Sequence, residues 1–265
     1  MFVLSNGAFK SGSTWLWTII GETNQFKELP KEYGRGPGRV RAFLKPGKIS
    51  DFLESGIYKS ENYWAKGHFF DNRSRDLFLS YDSVYIFNIK RDVKDSLVSH
   101  YYHLIRQDKL NEQLSRPENI KKGFSDYYWR FGRYKAQQLM IYHKAWDIPS
   151  PKVYVSSFER LKNDYENEVG RIGKFLGLDF SSEEIDRLKN VTSIQNVQKT
   201  KGQDKLPEHK RFIRKGLIGE SKQYFSDDMN DDVESIVQDG LGKVDMLKYQ
   251  AIFAALKVRR KMIGH

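Results

Sequence analysis

The 265-residue chain contains no cysteine, which excludes disulfide staples, thiolate metal sites and thiol redox chemistry. Its 7 prolines form no Pro/Ser-rich linker, and no internal repeat is present; the expectation is one domain over residues 1–265. No apolar run reaches the roughly 18 residues needed to span a bilayer. The first residues enter a strand pattern rather than a signal peptide, so a soluble, cytoplasmic protein without a transmembrane segment is expected. Acidic side chains are the minority, 34 Asp+Glu against 45 Lys+Arg, and the net charge of +11 favours anionic partners. Charge alone does not separate a nucleic acid from a small polyanion. A hydrophobic fraction of 39% with 14% aromatics is enough for a substantial core.

What the chain does have is concentrated at its start. Phe2, Val3 and Leu4 form a short apolar run suited to a buried strand, Gly7 and Gly12 bracket a tight loop, and a helical pattern follows from Trp15. A strand, a glycine loop and a helix together make a phosphate cradle, in which backbone N–H groups and the positive end of the helix face an oxyanion. The spacing approaches the nucleotide-hydrolysing Gly-x-x-x-x-Gly-Lys-Ser/Thr loop, but Ser13 stands in the lysine slot and the loop's one lysine is Lys10. No metal-ligand residue accompanies it. An ATPase needs a lysine on the outer phosphates and a hydroxyl on Mg²⁺, so the departure argues against one.

Further along, Tyr63 to Phe70 is an aromatic, strand-like run interrupted at Gly67 and carrying Lys66 and His68. An imidazole with an ordinary pKa of about 6.5 can accept a proton near neutrality. Val84 to Ile89 is the clearest central strand; its continuation carries Arg91, Lys94, Asp95 and Ser99, with Asp92 placed to cap the next helix. Lys152 to Ser157 reads as another parallel strand, followed by Phe158. Helices are expected at 164–178 and at 181–190, the second opened by a Ser-Ser-Glu-Glu capping pattern. The aromatic helical stripe from Phe124 to Trp146 reads as core, and His100 and His103 as packing or surface residues rather than metal ligands. Segments of about 33–50 and 106–123 read as loops, the first with Arg35, Arg39 and Arg41; about 246–263 reads as a basic amphipathic helix.

Lys10-Ser11-Gly12-Ser13-Thr14-Trp15 resembles the 5′-phosphosulfate loop, commonly Lys-Ser-Gly-Thr-Thr-Trp, of sulfotransferases that use 3′-phosphoadenosine 5′-phosphosulfate (PAPS). Three further segments resemble the family in the same order: Lys66-x-His68, Arg91-x-x-Lys94-Asp95-x-x-x-Ser99, and Arg214-Lys215-Gly216. The resemblance implies an α/β, three-layer, P-loop-like fold with a central, mainly parallel sheet flanked by helices. It implies a metal-independent enzyme in which His68 is the base and Lys66 and Lys10 stabilise the transferred group. Lys10 to Trp15 would hold the 5′ end of the cofactor, with Trp15 on the adenine. Arg91, Ser99, Arg214, Lys215 and Gly216 would hold the 3′-phosphate. Phe158 replaces the family's usual tyrosine near the adenine, and Ser193, from Thr192-Ser193-Ile194, is a further nucleotide contact. The implied cofactor is PAPS, giving 3′-phosphoadenosine 5′-phosphate (PAP). The implied acceptor is a small molecule with a hydroxyl or an amine, not a nucleic acid. A P-loop nucleotide kinase or phosphohydrolase, or a non-catalytic nucleotide-binding module, stands as the alternative, and the oligomeric state is left open.

Overall fold

Phe2–Gly7 forms a strand with all six residues buried, the condition of a strand covered on both faces in the middle of a parallel sheet. The computed structural model describes residues 1–35, 43–107, 123–200, 202–207, 211 and 214–251. The described strands are β1 (Phe2–Gly7), β2 (Lys27–Glu28), β3 (Gly34–Arg35), β4 (Phe43–Leu44), β5 (Tyr63–Gly67), β6 (Val84–Lys90) and β7 (Val153–Ser157). They make one sheet in the order β3-β4-β5-β1-β6-β7, with β2 also on β5. Only the β3–β4 pairing is antiparallel.

By its contacts the chain divides into two compact units that alternate along the sequence: Met1–Arg91 with Ile141–Val197, and Asp92–Met140 with Gln198–His265. The first unit holds the whole sheet. Side chains alternate along β1 and β6, so Val3, Phe87 and Ile89 meet a layer built from α1 (Ser13–Glu22) and the helices Tyr165–Leu176 and Ser182–Thr192. On the opposite face Phe2 packs on Phe52 of α2 (Ile49–Ser55), with ring centroids 4.7 Å apart, and Phe69 packs on Phe78 of α3 (Asn72–Leu79) at 5.1 Å. Helix, sheet, helix are therefore the three layers of this unit, and the expected α/β class is observed.

The second unit contains α4 (Val93–Gln107), opened by Asp92, whose Oδ1 accepts from the Asp95 amide at 2.8 Å as the sequence indicated. Phe124–Tyr127 is helical, one π turn follows at Tyr128–Gly132, and Arg133–Trp146 is again α-helical, its residues from Ile141 on counted with the first unit. The aromatic stripe is core, with Tyr127, Tyr128, Tyr142 and Trp146 all fully buried. Ser181 caps the helix Ser182–Thr192 by accepting from the Glu184 amide.

Three boundaries differ from expectation. The 33–50 segment is not all loop, because Gly34–Arg35 and Phe43–Leu44 pair as strands and Pro46–Lys48 makes a 3-10 turn leading into α2. Its glycine and proline content masked that pairing; Arg39 and Arg41 lie outside the described residues. Arg106 and Gln107 belong to α4, and 108–122 of the expected 106–123 loop lie outside the described residues. The terminal helix begins at 243 rather than 246, and beyond 251 it is not described.

Candidate active site

The carboxyl ends of parallel strands are where α/β sheets bind ligands, above all where the chain order reverses. Here β1 lies between β5 and β6, and that reversal occurs at its end. Gly7 ends β1, His68 follows β5, Arg91 follows β6 and Phe158 follows β7. Four candidate positions far apart in the sequence thus issue from one edge of the sheet.

The loop after β1 turns on two backbone conformations. Lys10 has φ 62° and Gly12 has φ 92°, both left-handed. Gly12 also stands at the N-cap of α1, where a Cβ would lie 2.9 Å from the Phe158 ring. No side chain caps α1 and its first turn holds no acidic residue, and a helix start of that kind is able to receive an anion. Gly12→Ala should cost about 1–3 kcal/mol, read as a lower urea midpoint, and should weaken anion binding at the loop.

Lys66 is buried, with its Nζ donating to Thr14 Oγ1 and lying 5.2 Å from the centre of the Phe43 ring. Arg91 is buried too; its Nη1 donates to the Lys10 carbonyl at 3.3 Å and its guanidinium lies 4.2 Å over the Phe158 ring. Phe158 is therefore buried against Gly12 and Arg91. Ser11 is likewise turned inward: it is fully buried and its Oγ donates to the Ala8 carbonyl at 2.8 Å, so the side chain shapes the loop. Ser13 is buried and its carbonyl accepts from Ser5 Oγ.

His68 lies with Nδ1 2.6 Å from the Gly7 carbonyl. A carbonyl only accepts, so Nδ1 carries the proton and Nε2 keeps its lone pair. One edge of the residue is exposed to solvent. Desolvation by the atoms around the ring, then the charge of Lys66, lowers its pKa to about 4, against a bond to Gly7 that acts the other way; Arg35 and Lys10 lower it further. Solvent at the open edge offsets part of this, and the direction is what matters: the ring is neutral at pH 7. Between about pH 6.5 and 4 the unfolded chain binds this proton and the folded one does not, so stability contributed here is complete above pH 6.5 and declines on acidification. An NMR titration should place the His68 inflection well below 6.5; an inflection at or above it contradicts this environment.

Trp15 stacks on Tyr165, with centroids 6.0 Å apart, and its Nε1 donates to Thr192 Oγ1 at 3.4 Å. In the sequence Thr192 stands only as the neighbour of Ser193, and its bond to Trp15 is not foreseen there. Ser193 itself is occupied locally: its Oγ donates to the Asn190 carbonyl and accepts from the Asn196 amide, joining two helices.

In the second unit Ser99 lies on α4, and Arg214, Lys215 and Gly216 lie on an irregular arm. Gly216 has φ 61°, the guanidinium of Arg214 lies 4.0 Å over the Tyr102 ring, and both Arg214 and Lys215 pair with the buried Glu220. Asp95, one turn before Ser99, accepts from the Gly219 and Ser221 amides at 2.7 and 2.9 Å. The sequence did not reveal that Asp95 holds this arm to α4, nor that Glu220 pairs the two cations within the arm. Among the described residues no three His, Asp or Glu side chains group as metal ligands, and no helix is long and apolar enough to cross a membrane.

Residues 3–245 match the family model of the sulfotransferase domain. Over 164 residues the chain is 27% identical to "Cytosolic sulfotransferase 5" of Arabidopsis thaliana, a match covering 58% of this chain and 50% of that protein. Over 260 residues it is 26% identical to "Flavonol 3-sulfotransferase" of Flaveria bidentis, covering 90% of this chain and 81% of the relative. Against the first of these relatives the chain spans about half their length. Among solved structures, mouse sulfotransferase SULT7A1 complexed with PAP is similar in fold, with a TM-score of 0.62, 18% identity and coverage of 94% of this chain and 88% of that one. With a family match that runs through both units, the chain belongs to the sulfotransferase-domain family.

Proposed function

We propose that the protein transfers a sulfuryl group from PAPS to a hydroxyl, or an amine, of a small molecule. The observation that carries this reading is an imidazole whose Nδ1 lies on the Gly7 carbonyl, leaving Nε2 for a proton, on the same sheet edge as the uncapped start of α1. PAPS when bound supplies the activated sulfuryl group. His68 Nε2 accepts the acceptor's proton as its oxygen or nitrogen becomes the nucleophile. Lys66 and Lys10 place positive charge where negative charge builds on the transferred group and the departing phosphate oxygen. The first-turn amides of α1, through Ser13 and Thr14, hold the 5′ end. Arg91, Ser99, Arg214, Lys215 and Gly216 are the residues proposed for the 3′-phosphate, and Trp15 for the adenine. Chemistry of this kind rests on positioning and electrostatics and calls for no metal. The Phe43 ring, 5.6 Å from the imidazole, provides an apolar wall suited to a planar hydroxylated acceptor. One working domain and a cytoplasmic location complete the reading.

One contact weighs against the kinase alternative. In a P-loop kinase the hydroxyl after the loop holds Mg²⁺; here Thr14 Oγ1 accepts from the Lys66 ammonium, which would repel a dication. Isothermal titration should show PAP binding without metal and binding more tightly than ATP with Mg²⁺. A preference for ATP with strict dependence on Mg²⁺ would overturn the proposal. Labelled PAPS offered with a panel of phenols, alcohols and amines should then identify the acceptor class.

A further inference from the structure

The pairing of β1 with β5 stops at Asn6 and Gly67, one residue short of His68. Beyond that point the strand amides no longer fix the chain, yet the imidazole must be held to tenths of an ångström to act on a proton. The side chain of Asn6 takes over where the ladder ends. Its Oδ1 accepts from the Phe69 amide at 2.9 Å and its Nδ2 donates to the Phe69 carbonyl at 3.2 Å. Both polar atoms of one fully buried asparagine thus grip the backbone of the residue after His68, while the next carbonyl along β1, that of Gly7, receives the imidazole proton.

Two neighbours make this grip specific. Gly67 has no side chain, and a Cβ there would lie 2.4 Å from the Phe69 ring, so the ring can fold back over the strand and turn the chain at His68. The Phe69 carbonyl also accepts from Trp146 Nε1 at 2.7 Å. Asn6 is the only one of these groups that bonds both the amide and the carbonyl of Phe69.

We infer that Asn6 is a positioning residue for the proton-accepting imidazole: by clamping Phe69 to the end of β1 it keeps His68 Nδ1 on the Gly7 carbonyl and thereby fixes Nε2 as the unprotonated atom. The inference rests on His68 being the base of the proposed transfer, but the tautomer it sets can be read without any turnover. Neutral imidazole in water prefers its proton on Nε2, so a released ring reverts towards that form and towards an ordinary titration.

The test uses the full chain with ¹⁵N-labelled histidine. In the wild type His68 should show the Nδ1–H tautomer and titrate well below 6.5. In Asn6→Ala, with folding checked by amide dispersion and circular dichroism, the Nε2–H form should appear, the inflection should move towards 6.5, and PAP affinity should stay within about twofold. Turnover should fall about 10- to 100-fold, the scale of a misplaced reacting group. Asn6→Asp, which keeps the side-chain volume and the acceptor for the Phe69 amide but loses the donor, should fall between the two. A folded Asn6→Ala or Asn6→Asp whose His68 keeps the wild-type tautomer and titration would overturn the inference. If instead the tautomer shifts as expected while the wild type transfers no sulfate, the positioning stands and the assigned reaction is what fails.

Discussion

His68→Ala is expected to lower turnover by about two decades or more, the usual scale for a positioned base, while PAP affinity changes by no more than about twofold. The separation follows from where the residue stands. Its ring meets the Gly7 carbonyl and the Phe43 ring, whereas the groups proposed for the cofactor's 5′ end belong to α1 and the loop before it. Removing the imidazole takes away the proton acceptor without uncovering a buried charge, so the fold should hold. The measurement is single-turnover transfer of labelled sulfate beside PAP titration calorimetry. Near-wild-type transfer would remove His68 from the role.

Lys66→Met should produce the second large loss, about 10²–10³-fold in turnover, comparable with deleting one donor to developing negative charge. Methionine matches the length of the buried stem, so stability should change little. The same substitution carries an independent signature. The Lys66 charge follows desolvation as a cause of the lowered His68 pKa, so its removal should raise the His68 inflection from about 4 towards 6.5. A turnover loss without movement of that inflection would mean that the ammonium acts on the substrate but not on the imidazole.

The architecture was legible wherever it rests on short-range patterns. The apolar runs of β1 and β6 and the capping sequence at Ser181 each carry their signal within a few neighbouring residues, and each appears as expected. The family's motifs likewise marked the strand ends. What stayed hidden depends on side chains reaching distant backbone. Asn6 to Phe69 spans 63 positions and Asp95 to Gly219 spans 124, with no periodicity to announce either. Hydroxyls were hard to assign for the same reason. Ser11 and Ser193 have the right chemistry for a phosphate or ribose, and their bonds to Ala8, Asn190 and Asn196 depend on local geometry that the sequence does not display. The short β3–β4 pairing escaped because two-residue strands leave no alternation to detect.

The bond from Trp146 to the Phe69 carbonyl has a bearing on biosynthesis. The indole leaves the ribosome 77 residues after the backbone it secures, and β7, which completes the edge of the sheet beside β6, follows later still. A nascent chain halted before residue 146 would have made its glycine loop and its histidine but not the anchor that seats the turn between them. Arrested chains of increasing length should therefore gain protease resistance around residue 68 only once Trp146 has cleared the exit tunnel.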